Sequence, residues 1–524
     1  MMKVLVAEPI AEPGLDRLRA EVTVDVKTDL TREQLLEEIG SYDALIIRSA
    51  TKADAELIEK APNLKVIGRA GIGLDNVDVD AATRHGIVVV NAPQSNVLSA
   101  AEHTIALLLS QARNIPAANA TVKAGGWERE RFEGVELHGK TLSILGLGRI
   151  GTLVAQRALA FGMRVVAFDP YVAKARAGQM GVELAGSLED AFRAADFVTI
   201  HLPKTSETAA LIGAEQLALL KPTARIVNTS RGGIVDEVAL AAAIKGGRLA
   251  GAALDVFAKE PPSASPLFEL DQVVLTPHLG ASTEEAQSKA GASIAEQVLI
   301  ALRGDLAPYA VNVEAGRELS DVVRPFLPLA EKLGRIYTAL AGGNVQHVSV
   351  SYQGSIADHD TRVLTLSALK GMFANVVHEP VTFVNAPLLA AERGIEVAET
   401  KSAMSRDYVN AIEISAGEGS GVAGSLVGKR NEERLVRVLD FEVDFPPGPY
   451  MCFLRYDDRP GVIGAIGTIL GRSGVNIADM RVGRQEKGGE ALMCLTVDQP
   501  IDNEVLKELA DGSEAKDAKF ITLQ

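Results

Sequence analysis

Residues 141–169 read TLSILGLGRIGTLVAQRALAFGMRVVAFD. An apolar run, Leu142 to Leu145, leads into Gly146, Gly148 and Gly151, then a helical pattern, then a second apolar run, Val165 to Phe168, closing on Asp169. Strand, GxGxxG turn, helix, strand and acid in this order make a dinucleotide-binding βαβ unit. Gly146 allows the tight turn out of the strand, Gly148 lets backbone approach a pyrophosphate, and Gly151 lets the helix lie on the sheet. The phosphates then meet the helix N-terminus, whose first N–H groups have no partner inside the helix. Asp169 follows Gly151 by 18 residues, where a carboxylate accepts both ribose hydroxyls and repels a 2′-phosphate. The cofactor expected is therefore NAD rather than NADP.

Outward from this unit the chain reads as α/β. Upstream, β-rich runs at Val4 to Val6, Ala44 to Ile47, Val66 to Gly68 and Val88 to Val90 alternate with helical patterns such as Arg32 to Ile39. Downstream, runs at Phe197 to Ile200, Ile226 to Asn228, Gly251 to Leu254 and Val273 to Leu275 complete a doubly wound parallel sheet. A helical stretch from Ser282 to about Arg303 can return the chain to the first layer. Two Rossmann-like domains are expected, residues 1–98 plus 286–312 and residues 99–285. After Asn312, alternating patterns such as HVSVSYQG and glycine-rich turns such as SAGEGSGVAG predict an α+β domain over 313–445. PPGP at 446–449 reads as a linker, because proline holds the chain extended. Residues 446–524 then run strand, helix, strand, strand, helix, strand, the βαββαβ order of a ferredoxin-like fold.

Composition closes off other classes. A chain of 524 residues exceeds one core and calls for several domains of about 100 to 200 residues each. No apolar run approaches the roughly 20 residues of a membrane helix, and MMKVLVAEPI lacks a signal-peptide core, so no membrane partner is expected. A net charge of −15 without a basic run argues against nucleic acid. Cys452 and Cys494 are the only cysteines, too few for a disulfide framework or a metal cluster, and the reducing cytoplasm fits.

Oxidising a 2-hydroxy acid with NAD requires a base for the hydroxyl proton, a cation for the carboxylate and an acid to hold the base. The chain offers one of each in loops after predicted strands. His278, in LTPHLGAST, follows Val273 to Leu275, where the carboxyl ends of parallel strands present functional groups. A loop histidine alone is more commonly structural, and its neighbours are what make this one a candidate. Arg231, in IVNTSRGGIVDE, can give two parallel hydrogen bonds to a carboxylate, or else pair with Asp236 or Glu237. Glu260, in LDVFAKEPP, would raise the pKa of His278 if the two are neighbours, and is a solvated loop glutamate if they are not.

GLGRIG, NTSRGGIVDE, GAALDVFAKEPP and TPHLGAS, in this order and spacing, resemble the D-isomer-specific 2-hydroxyacid dehydrogenase family. GRAGIGLDNVD at 68–78 resembles its substrate-side signature. The two added C-terminal units resemble the long form within it that acts on D-3-phosphoglycerate, with an intervening allosteric substrate-binding domain before an ACT regulatory domain. The resemblance implies NAD-dependent oxidation of D-3-phosphoglycerate to 3-phosphohydroxypyruvate, the first step of phosphorylated L-serine biosynthesis, in a homo-oligomer, dimer or tetramer. No metal is implied.

Residue by residue, the resemblance makes Arg231 the orienter of carboxylate and carbonyl, Glu260 the partner of His278, and His278 the acid/base. It makes Gly146, Gly148, Arg149, Ile150, Gly151, Asp169, Ile72, Leu202, Thr229, Ser230, Asp255 and Gly280 the cofactor lining, with Asp255 near the nicotinamide amide. Arg48, Arg69, Gly71 and Asn96 become the substrate side, with the two arginines on the 3-phosphate, and GGWERERF around Trp127 reaches towards a second subunit. In RYDDRPGVIGAIGTILGRSGVNI, Asp458 and Asn476 hold the positions that bind L-serine in ACT dimers. Asp458 can alternatively serve only as a helix cap. Two other readings stay open: another D-2-hydroxyacid dehydrogenase, such as a glycerate or hydroxypyruvate reductase, and an NAD-sensing corepressor-like binding protein.

Overall fold

Strands of a parallel sheet covered on both faces must be apolar almost throughout, and ALII at Ala44–Ile47 is buried along its whole length. The structure, a computed structural model, describes residues 2–313, 319–341, 346–374, 376–377, 381–405, 407–416 and 421–523. Its first sheet holds β1 (Lys3–Val6), β2 (Thr23–Val26), β3 (Ala44–Ile47), β4 (Val66–Arg69) and β5 (Val88–Asn91), all parallel, in the order β2-β1-β3-β4-β5. Strand β2 is absent from the predicted runs because this edge, TVDV, is only half-buried and carries no apolar run.

Helix α1 (Val97–Ala112) crosses into the second sheet, which holds β6 (Thr141–Leu145), β7 (Arg164–Phe168), β8 (Glu183–Leu184), β9 (Phe197–Ile200), β10 (Arg225–Asn228), β11 (Gly251–Leu254) and β12 (Val273–Leu275). The order β12-β11-β10-β9-β6-β7-β8 reverses direction between β6 and β9, the crevice where doubly wound sheets bind dinucleotides. Helix α2 (Arg149–Ala160) follows β6. Helix α3 (Glu284–Leu302) returns to the first sheet, where Ile294 and Val298 share a core with Val4 and Val66.

The third unit is a mixed sheet of β13 (His347–Gly354), β14 (Glu396–Ser402), β15 (Asn410–Ser415), β16 (Gly421–Val427), β17 (Glu432–Val438) and β18 (Phe441–Phe445). Its order is β14-β13-β15-β16-β17-β18, with only β13 and β14 parallel. Of the predicted turn SAGEGSGVAG, residues 417–420 lie outside the described residues. Helices α4 (Leu327–Ala341) and α5 (Arg362–Phe373) cross with backbones almost touching. A Cβ at Gly334 would fall 2.0 Å from Ala368 O, and one at Gly371 would fall 1.9 Å from Glu331 O.

The last unit holds β19 (Tyr450–Asp457), β20 (Ile477–Arg484), β21 (Glu490–Val497) and β22 (Asp517–Thr522) in the order β20-β21-β19-β22, with every pair antiparallel. One face is covered by α6 (Val462–Arg472) and α7 (Asn503–Ser513), through Ile466, Leu470 and Leu509. The other face, with Met451, Phe453, Leu492, Cys494 and Ile521, joins the core of the third unit. The PPGP connector is held close, since a Cβ at Gly448 would lie 2.1 Å from Thr496 Cγ2. Cys452 and Cys494 are free thiols whose side chains enter these two different cores. Among the described residues no helix is long and apolar enough to cross a membrane.

Candidate active site

Gly146 adopts a φ of 90°, and a Cβ there would come within 2.6 Å of His201 O. A Cβ at Gly151 would lie 2.1 Å from Gly146 O, so turn and helix start meet backbone to backbone. Gly148 caps α2 with open space around it and no side-chain cap. The first amides of α2, at Arg149 and Ile150, are thus left for a pyrophosphate. Asp169 accepts from Leu147 N at 2.8 Å and from Tyr171 N at 2.9 Å, which fixes its carboxylate at the glycine turn. Each oxygen keeps a lone pair for a ribose hydroxyl, so donor set and open cradle fit NAD.

The three loops following β10, β11 and β12 meet at the ends of neighbouring strands. His278 Nδ1 lies 2.7 Å from Glu260 Oε2, and Glu260 Oε1 accepts from Phe257 N at 3.0 Å. The hydrogen bond to Glu260 raises the His278 pKa above its usual value, against the opposing effect of burial. Burial works against the Glu260 charge, yet the bonds from His278 and Phe257 hold its carboxyl below the usual range. His278 is itself in the left-handed region at φ 57°, a conformation that costs a non-glycine residue about 1 kcal/mol or more and is kept only by its surroundings. Arg231 reaches across the cleft to Asp75 Oδ2 at 3.2 Å, and Asn228 Nδ2 holds its carbonyl at 3.0 Å.

Arg231 and His278 line one cleft of about 280 Å3 with Arg69, Ile72, Asn96, Ile150, Leu202, Thr229, Ser230 and Gly280. Burial, and then the charge of Arg231, push the Arg69 pKa down to about 10. Arg69 Nε and Asn96 Oδ1 are buried without a hydrogen-bond partner among the described residues. Gly71 makes room for this arginine, since a Cβ there would lie 1.6 Å from Arg69 Nη1. Arg48 stands outside the lining, with its guanidinium donating to Pro9 O at 3.4 Å. Asp255 also stands outside it, wholly buried behind the His278 loop.

Comparison with known proteins agrees with this geometry. Residues 105–280 match the NAD binding domain of the D-isomer specific 2-hydroxyacid dehydrogenases, 322–439 the D-3-phosphoglycerate dehydrogenase intervening domain, and 450–511 the ACT domain. The chain is 46% identical to a D-3-phosphoglycerate dehydrogenase of Synechocystis sp., covering 100% of this chain and 95% of the relative. Identity is 47% to the enzyme of the same name from Mycobacterium tuberculosis, over 99% of each. The chain belongs to the D-3-phosphoglycerate dehydrogenase family. It is thereby an NAD-dependent oxidoreductase with an ACT domain. A crystal structure of D-lactate dehydrogenase from Aquifex aeolicus complexed with NAD and lactic acid matches 61% of this chain and all of its own, with a TM-score of 0.53 and 26% identity.

In this member of the family, Asp458 and Asn476 are not brought together. Asp458 follows β19 and Asn476 precedes β20, and both strands run antiparallel to β21. Asp458 faces Gly489 and Asn476 faces Asp498 across β21, so the two residues sit at opposite ends of the sheet, roughly 30 Å apart at about 3.3 Å per residue. Asp458 does not cap α6, whose N-cap is Gly461; its carboxylate accepts from Arg484 Nη1 at 3.2 Å instead. Trp127 is 79% exposed, while Arg131 is tied within its own chain to Glu128 and Asp271.

Three polar residues of the site went unrecognised in the sequence. Glu8 accepts the N–H groups of Arg48, Ser49, Ala50 and Thr51, which anchors the loop beside Arg69. His201 lines the cleft and is kept neutral by burial, which pushes its pKa down to about 3. His103 stands behind Asp255. No local motif marks any of the three.

Proposed function

We propose that this chain oxidises D-3-phosphoglycerate to 3-phosphohydroxypyruvate with NAD, opening phosphorylated L-serine biosynthesis. The observation that carries the reading is the pair of cations, Arg231 and Arg69, in one cleft with His278, one of them holding a buried Nε that still needs an acceptor. One planar carboxylate and one phosphate satisfy two guanidinium groups; lactate or glycerate satisfies one. Arg231 takes the carboxylate and the carbonyl that forms beside it. Arg69 takes the phosphate, with Arg48 close enough to add its field. Glu260 holds His278 Nδ1, which leaves Nε2 to accept the C2 hydroxyl proton as that bond becomes C=O. NAD, held by the first amides of α2 and by Asp169, supplies the acceptor for the C2 hydride.

L-serine is the effector that this reading assigns to Asp458 and Asn476. Their placement at opposite ends of one sheet supports a serine site shared by two copies of the chain, so this reading includes a homo-oligomer. Initial rates with D-3-phosphoglycerate and NAD, against D-glycerate and D-lactate, with and without L-serine, test the whole reading. D-3-phosphoglycerate should be preferred by orders of magnitude in kcat/KM, and Arg69→Ala should cost that substrate far more than D-glycerate. Equal use of the unphosphorylated acids would end the substrate assignment, and indifference to L-serine would end the effector assignment.

A further inference from the structure

Helix α1 turns one face to β10, β12 and the segments that flank them, the catalytic loops included. Ser99 Oγ meets Thr283 Oγ1 at 2.7 Å, Thr104 Oγ1 meets Thr229 Oγ1 at 2.7 Å, and Gln111 Nε2 donates to Gln272 O at 2.6 Å. His103 occupies the centre of this face, with Nε2 at 3.1 Å from both Thr276 Oγ1 and Asp255 Oδ1. Asp255 is fully buried and also accepts from the Thr276 hydroxyl at 2.6 Å, from Leu279 N at 2.7 Å and from Gly280 N at 2.8 Å. The Thr276 hydroxyl gives its proton to Asp255, so both groups facing His103 Nε2 are acceptors and Nε2 must carry the proton. A buried carboxylate is tolerable only when such donors surround it. Burial opposes the Asp255 charge, and the bonds from His103, Thr276 and Leu279 hold its carboxyl below the usual range.

The bracing continues straight to the base. Asp255 O accepts the N–H of His278 at 2.9 Å, and the Asp255 carboxylate takes the next two amides of the same loop. These bonds hold the one catalytic residue whose backbone sits in the left-handed region. We propose that His103 is a positioning residue: through Asp255 it fixes the loop Thr276–Gly280, and so the alignment of His278 with Glu260 and the substrate hydroxyl. The inference rests on the assignment of His278 as the base.

The test compares His103→Leu, which removes the N–H, with His103→Gln, which keeps a donor of similar reach, in the full-length enzyme. His103→Leu should lower kcat about tenfold or more, as a displaced catalytic group does. The Kd for NAD and the thermal midpoint should stay near wild type, and His103→Gln should recover most of the loss. In an Asp255→Asn background the His103→Leu effect should largely vanish, because the two residues act in series. Wild-type kcat in His103→Leu, equal losses in the Leu and Gln variants, or losses that multiply with Asp255→Asn would each overturn the proposal. Should the leucine variant not fold, His103→Gln against the shorter His103→Asn gives the same contrast, and equal rates there overturn it too. A wild-type enzyme that ignores D-3-phosphoglycerate would strike only the substrate assignment, and the same series is then read with the 2-hydroxy acid it does oxidise.

Discussion

At His278 the Glu260 carboxylate outweighs burial, so the imidazole holds its proton to a pH above the ordinary 6.5. Oxidation needs the neutral ring and reduction the protonated one. The oxidative rate should therefore climb with pH through a midpoint above that value, while the reductive rate falls through the same midpoint. Glu260→Gln removes the charge and should move both limbs to lower pH; profiles of kcat/KM that stay in place would show that Glu260 does not set the base. Asp169→Ala should weaken NAD binding and erode the preference over NADP, measured as the ratio of kcat/KM for the two cofactors. An undiminished preference would move the discrimination elsewhere. These residues were legible because each stands at a fixed place after an apolar run, with neighbours of the required charge. Glu8 and His103 were not. The partners of Glu8 are the amides of residues 48–51, and those of His103 lie more than 150 positions away, at 255 and 276. Within its own helix, AEHTIALLL, a histidine is indistinguishable from an ordinary one.

Among the elements, strict alternation was the clearest signal: HVSVSYQG became β13, with Val348, Val350 and Tyr352 buried and their neighbours less so. The short edge strands β2 and β8 were hidden because an edge with one wet face needs no apolar run. The crossing of α4 on α5 was hidden for another reason, since a glycine within a helical pattern reads locally as a weakness. Here Gly371 is what lets the two backbones approach. Gly371→Leu should force them apart and destabilise the third unit by about 1–3 kcal/mol or more, the usual scale of overpacking. Chemical denaturation followed by far-UV circular dichroism measures this directly. An unchanged midpoint would mean that the helices part without loss.

In the whole molecule, the four units and their order were readable from motif spacing, but the wall they share was not. A sheet with helices on one face looks finished in sequence, and only the structure shows Met451, Phe453 and Ile521 entering the neighbouring core. This changes how the chain should be cut. Removing residues after 445 strips that core and should give an aggregating protein, whereas ending the chain near residue 312 should leave a soluble dehydrogenase indifferent to L-serine. Solubility and initial rates of the two truncations decide it, and a well-behaved product of the first cut would show that the third unit closes its own core. The shared wall also relocates the joint. PPGP reads as a linker, yet the β-sheet it leads into is already fastened to the unit before it, so the two share one core and form a single arm. With Met451, Phe453 and Ile521 seated in the neighbouring core, the prolines are spanned by packed side chains and are no point of slack within that arm.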